Sequence, residues 1–403
     1  MKTLCLVLIL FLALMLTFNK AESASPVKIG FDDVRSGPFK SNGDQFLVGM
    51  EVAIKKINGS GGLLGRPIEL VIEDNQLKPE IAIQKLKKLI LEDKCEAIIH
   101  GSSSSVALAI AQTMPRYKKP YICIGAATMG VTSENFNPYV FRTNGNVVQY
   151  VKALAIYFGK QKELKKVFLI NWDNSLGHDT AELYEKFIKE VAPNTEIVGN
   201  EFAPVFTKEY APYISKINAS GADYAFTSVW GTDLVQLMTQ GRSLGMKIPA
   251  GGLFMSDWNA VRVMGDASIG CIGADTFIMG LNTPKAKEFE EYIYKESGGF
   301  WPVSQIWMGY IGMMMYAEGV KKAGTFEAER FIKKFEGLEW DGPSGIVMMR
   351  PQDHQIQLPV FIGKVLGKTK YFDHPWFTPV QTVTREQLSY KPEEFGWKPY
   401  KEK

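Results

Sequence analysis

The chain has 403 residues, 46% of them hydrophobic, and carries 46 Lys+Arg against 43 Asp+Glu. That length suits two or three domains, and that apolar content suits well-filled cores. A near-neutral balance without a long basic run argues against nucleic acid or an anionic membrane surface as the main partner.

Lys2 precedes an apolar run from Leu4 to Phe18, broken only by Thr17, and small residues follow at Ala21–Ser25. These are the charged, apolar and cleavage regions of a secretory signal, so residues 1–24 are expected to be removed after Ser23 or Ala24. The run is short of the roughly 20 residues that span a bilayer. A retained N-terminal anchor is the alternative. Cys5 lies too early to be a lipid-bearing cysteine at the cut. The other cysteines are Cys95, Cys123 and Cys271. An odd number excludes a complete disulfide framework, leaving buried thiols or a single Cys95–Cys123 bridge.

Short apolar runs then alternate with amphipathic ones. Strands are expected at Val27–Val34, Ile68–Asn75, Glu96–His100 and Tyr121–Ala127. Helices are expected at Gly43–Asn58 and Pro79–Asp93, and from Val106. The same order restarts with a helix at Val147–Lys160. Strands Lys166–Trp172, Glu196–Phe202, Asp223–Trp230 and Ala250–Ser256 follow, with helices between them. Alternation of this kind implies right-handed crossovers and parallel sheets, here as two successive doubly wound units. Three further helices (Pro284–Ser297, Val303–Ala323, Phe326–Phe335) lead into a β-rich tail too small to be a domain.

Ligands of parallel α/β sheets sit beyond the carboxyl ends of the strands. One such end carries four serines, Ser102–Ser105, between a strand and a helix. A helix start offers unpaired N–H groups and a partial positive charge, and hydroxyls add donors, so a carboxylate fits without a formal cation. The plainer reading is one capping serine among solvated turn residues. Ala126–Thr128 closes the next strand with small residues and a hydroxyl. In the second unit the corresponding ends are acidic and aromatic. Asp173, Asp233 and Asp257 suit an ammonium, and Trp172, Trp230 and Trp258 suit an apolar wall or cation–π face. No G-x-S-x-G elbow is present and the four histidines lack zinc-ligand spacing, so neither a serine hydrolase nor a metal centre is indicated. The Gly-rich Asn58–Pro67 stretch follows a helix and precedes a strand, the reverse of a phosphate loop.

Together these pieces resemble a known family. "VKIGFDDVRSGPFKSNGDQFLVGMEVAIKKINGSGGLLGRPIELVIEDNQLKPEIA", "AIIHGSSSSVALAIA", "PYICIGAAT", "PYVFRT", "RSLGMKIP" and "WDGPSGIVMMRPQDHQ" are similar, in order, to the type I periplasmic solute-binding proteins of ABC transporters. The likeness is to the branched-chain amino acid (leucine/isoleucine/valine-binding) group and covers Val27 to about Val383. It implies an α/β fold of two doubly wound parallel-sheet lobes joined by three crossovers. Residues 26–143 and 280–345 would form the N-terminal lobe, and 144–279 and 346–395 the C-terminal lobe. It further implies that Ser104, with Ser103 beside it, meets a ligand's α-carboxylate, that Ala126 and Thr128 assist, and that Asp257 pairs with an α-ammonium. Trp230 would form an aromatic wall; Trp172, by its place at a strand end, is expected to line the same pocket. Three positions depart from the family's side-chain pocket: Asn42 where an aromatic is frequent, Leu176 where a tyrosine is common, and Gln305 near a position usually apolar.

The expectation is therefore a periplasmic, monomeric receptor without cofactor, metal or enzymatic activity. It would capture an amino acid or related small carboxylate for a membrane permease. A sensory binder of amides, urea or aromatic acids without transport is the alternative. A secreted hydrolase using Ser103 or Ser104 would need His100 as its base.

Overall fold

The strand β1 (Val27–Asp33) places Val27, Ile29 and Phe31 among Lys28, Asp32 and Asp33, and is buried along nearly its whole length. That is the signature of a parallel strand covered on both faces. In the computed structural model, which describes residues 25–401, β1 pairs in parallel with β2 (Ile68–Asp74) and β3 (Ala97–His100). Adding β4 (Tyr121–Cys123) and β5 (Val140–Arg142) completes a five-stranded sheet of order β2-β1-β3-β4-β5. The crossovers are α1 (Lys40–Gly59), α2 (Pro79–Leu91) and α3 (Ser104–Thr113). Proline at the start of α2 costs nothing, because the first N–H of a helix has no internal acceptor. The residues of the expected signal, 1–24, lie outside the described residues.

After α4 (Val147–Gly159) the pattern repeats. Strands β6 (Lys166–Trp172), β7 (Glu196–Ala203), β8 (Tyr224–Thr227), β9 (Ala250–Gly252) and β10 (Ile272–Asp275) run parallel. They alternate with α5 (Ser175–Val191), α6 (Ala211–Ala219), α7 (Gly231–Ser243) and α8 (Trp258–Met264). The chain then returns to the first sheet as α9 (Pro284–Glu296), α10 (Ser304–Ala323) and α11 (Ala328–Phe335). A small antiparallel sheet follows, built from β11 (Glu339–Gly342), β12 (Gly345–Met349) and β13 (Ile356–Gln357). Two antiparallel strands, β14 (Val360–Lys368) and β15 (Pro375–Val383), finish the second sheet in the order β15-β14-β10-β9-β8-β6-β7.

The chain thus passes between the two sheets after β5, after β10 and before β14. The third passage lies between Gln357 and Val360, whereas the boundary expected at 345/346 falls inside β12. The tail's first half stays with the first lobe because Gln355 anchors it there. Its Oε1 accepts from the fully buried Arg142 Nε at 2.6 Å, and its backbone bridges Arg142 at the end of β5.

Helices α1 and α10 cross at unusually close range. A Cβ on Gly49 would lie 1.9 Å from the Ile306 carbonyl oxygen, and one on Gly309 would lie 2.1 Å from that of Phe46. Only glycine allows the two backbones to touch. One turn before Gly309 stands Gln305, and one turn before Phe46 stands Asn42, so the crossing sets both buried amide side chains in the lining of the cleft. Cys95, Cys123 and Cys271 are buried free thiols, and the Cys95–Cys123 bridge is not formed.

Candidate functional site

A cleft of about 460 Å³ opens between the lobes, beyond the carboxyl ends of both sheets. Its first-lobe wall is built around the start of α3. Asp33, the last residue of β1, accepts from the amides of Gly101 and Ser102 at 2.7 and 3.2 Å and so fixes the turn after β3. His100 is fully buried. Its Nδ1 donates to the Asp32 carbonyl at 2.7 Å, and its Nε2 accepts from the Ser103 amide at 3.2 Å. Both ring nitrogens are engaged by backbone, so His100 is not free to act as the base for Ser103 or Ser104. Burial first, and the Asp33 charge second, push the neighbouring Asp32 carboxyl up to about 8. Asp32 therefore carries little charge near neutral pH and barely offsets the positive helix end.

The four serines divide their work. Ser103 is the N-cap of α3: its Oγ accepts from the Val106 amide at 3.3 Å and also meets Ser105 Oγ at 3.0 Å. The amides of Gly101, Ser102, Ser103 and Val106 are thus spent within the protein. Those of Ser104 and Ser105 remain, and a helix start supplies no acceptor for them. Ser102–Ser105 all line the cleft. The wall therefore presents two adjacent backbone donors at a positive helix end, flanked by hydroxyls. That arrangement can hold a carboxylate.

The second-lobe wall is aromatic. Trp172, Trp230, Phe206, Phe254 and Leu176 line it. Phe39, at the N-cap of α1 in the first lobe, stacks on Trp230 across the gap, with ring centroids 5.1 Å apart and planes 28° from parallel. Asp257 sits where the two walls meet and is 4% exposed. Its Oδ1 caps α8 by accepting from the Ala260 amide at 2.9 Å. Its Oδ2 accepts from Trp230 Nε1 at 2.7 Å, Asn42 Nδ2 at 3.1 Å and Gln305 Nε2 at 3.2 Å. Two of these bonds cross between lobes.

Of the nine residues expected at the site, Asn42, Ser103, Ser104, Ala126, Trp172, Leu176, Trp230 and Asp257 line this one cleft, whereas Thr128 does not. Thr128 is 5% exposed, and the reason is the buried guanidinium of Arg142. Lacking a carboxylate partner, it draws in the Thr128 carbonyl, the Ala126 carbonyl at 3.2 Å and Thr132 Oγ1 at 2.7 Å. The Ala126 carbonyl is accordingly engaged as well. Two further acids expected to face an ammonium are placed elsewhere. Asp173 is exposed and pairs with His178, and Asp233 accepts from Trp172 Nε1 at 2.9 Å and the Phe206 amide at 2.7 Å. Trp258 packs toward Phe372 and Arg262 in place of the cleft.

The acid that sequence reasoning missed is Asp275, at the end of β10. Burial pushes it up to about 6, against the pull of the Ser304 and Ser256 hydroxyls and the Thr276 and Phe277 amides. The IGAD stretch of β10 is short and mixes glycine and alanine, so no periodicity marks it as a strand. Phe39 was likewise missed, although its place beside proline before the α1 pattern was a usable signal. Among the described residues no group of three or more His, Cys, Asp or Glu gathers as a metal site, and no helix is long and apolar enough to cross a membrane.

Comparison with known proteins agrees with this architecture. The chain matches the model of the periplasmic binding protein family over residues 26–370. It is 27% identical over 371 residues to a Leu/Ile/Val-binding protein homolog 4 of Brucella melitensis biotype 1, covering 89% of this chain and 88% of that one. Among solved structures it superposes with a TM-score of 0.85, at 26% identity, on the closed leucine-, isoleucine-, valine-, threonine- and alanine-binding protein of Brucella ovis. That match covers 91% of this chain and 97% of the other. It also superposes, with a TM-score of 0.80 and 25% identity, on an ABC transporter substrate-binding protein of Sphaerobacter thermophilus, over 89% and 98% of the two chains. A two-lobed α/β frame, a ligand-sized gap at the strand ends and a family match across most of the chain converge: this chain belongs to the periplasmic binding protein family, in its type I, ABC-transporter form.

Proposed function

We propose that the protein is the extracytoplasmic receptor of an ABC importer. It captures a small carboxylate between its lobes as a monomer in the periplasm and presents it to a membrane permease. The observation that carries the reading is the pair of uncommitted amides at Ser104 and Ser105. They stand at a positive helix end, in a cleft that no Lys, Arg or His lines. The ligand touches both lobes, so it binds the closed form better than the open one and shifts the population toward it. The ligands named for the similar Brucella ovis protein, leucine, isoleucine, valine, threonine and alanine, all carry such a carboxylate. No covalent step is part of this function.

A thermal-shift screen pairing small carboxylates with their primary amides tests the reading. At least one acid is expected to raise the melting temperature with saturable dose dependence, by mass action, while its amide raises it little. Equal shifts from acid and amide, or none from any acid, would overturn it.

A further inference from the structure

The reading of the cleft as a carboxylate receptor, on which this inference rests, does not specify the rest of the ligand. Two acids line the cleft, Asp257 and Asp275. Both would be natural partners for an ammonium if they were free, and neither is. An ionised carboxylate offers about four lone-pair sites. Asp257 Oδ2 alone holds the indole N–H of Trp230 and the amides of Asn42 and Gln305, while Oδ1 is committed to the end of α8. Asp275 accepts from Ser256 Oγ at 2.8 Å and the Thr276 amide at 2.7 Å, with Ser304 and the Phe277 amide also on it. An ammonium entering at Asp257 would have to displace two side-chain amides that are themselves 5% and 7% exposed, leaving buried donors without an acceptor.

The cleft also has an unmet need of the opposite kind. Gln305 Oε1 is buried and has no donor, since its amide nitrogen is the part turned to Asp257. A neutral hydroxyl or N–H on the ligand would satisfy it. The cleft that this oxygen and the serine amides share is lined by the apolar rings of Phe39, Phe46, Trp230 and Phe254.

We infer that Asn42 and Gln305 are specificity-determining residues that occupy the Asp257 carboxylate and so exclude an ammonium. The ligand is a monocarboxylate with an apolar or aromatic body, no ammonium, and a neutral hydrogen-bond donor directed at Gln305 Oε1. Two of the three departures from the family's side-chain pocket, Asn42 and Gln305, are on this account one device, tied together through Asp257.

Calorimetric titration of the protein with matched pairs tests it. The pairs are leucine against 4-methylpentanoate, phenylalanine against 3-phenylpropanoate, and tyrosine against 3-(4-hydroxyphenyl)propanoate. The member without the ammonium is expected to bind at least about tenfold tighter in each pair, and the hydroxylated ring tighter than the bare one. An amino acid binding as tightly as its partner, or more tightly, would overturn the inference and leave the carboxylate reading standing. Binding of no member of any pair would remove both. The double variant Asn42→Ala/Gln305→Ala strips the two donors, and its preference for the acid without ammonium is expected to shrink about tenfold. An unchanged preference would take the discrimination away from these two residues.

Discussion

Ser104→Asp is expected to abolish ligand capture while leaving the protein at least as stable as before. A carboxylate in the first turn of α3 is favourable to the helix, because it faces the positive end of the peptide dipoles. It also stands where a ligand carboxylate must come to reach the Ser104 and Ser105 amides. Two unit charges about 4 Å apart at an effective dielectric of about 20 repel by roughly 4 kcal/mol, so the affinity loss is on the order of 100- to 1000-fold. Calorimetry reads the binding and a melting curve reads the fold. A variant that melts normally and still binds within about tenfold of the parent would show that the ligand's charge is held elsewhere.

The second large effect is on folding. Gly309→Val is expected to lower the melting temperature by about 10 °C or more, or to prevent folding. A Cβ there would lie 2.1 Å from the Phe46 carbonyl oxygen, which is backbone of α1 and cannot rotate away. Ordinary overpacking costs about 1–3 kcal/mol, and a clash of helix backbones exceeds that because both helices must separate. Separation would also draw Gln305 and Asn42, one turn away on each helix, off Asp257. Gly309→Ala, with one carbon in place of three, is expected to fall between. Melting of the valine variant within about 2 °C of the parent would mean that α1 and α10 do not approach so closely.

Much of the architecture was legible because it is repeated chemistry. Short apolar stretches such as Val167–Ile170, alternating with amphipathic ones, read together as covered strands joined by crossover helices. The serine run was legible as a helix start next to a strand end, and the division of labour within it was not. That Ser103 caps the helix, and that Asp33 and His100 take the preceding amides, depends on residues up to 69 positions away in sequence. The same limit applies at the other wall. Asn42 and Gln305 stood out as departures. Their common partner Asp257 lies 215 and 48 positions away, and the helix crossing that brings them together rests on two glycines. Thr128 was misplaced because Arg142 was not recognised as buried. A cation with no acid partner in sequence proximity gives no sign that it will recruit backbone carbonyls.

A crystal structure of the protein with its tightest-binding carboxylate bears most directly on all of this. The account predicts carboxylate oxygens about 2.7–3.1 Å from the backbone nitrogens of Ser104 and Ser105, with the ligand body against the stacked Phe39 and Trp230 rings and the lobes closed over it. A carboxylate seated outside the gap, or inside it with those two amides facing water, would contradict it.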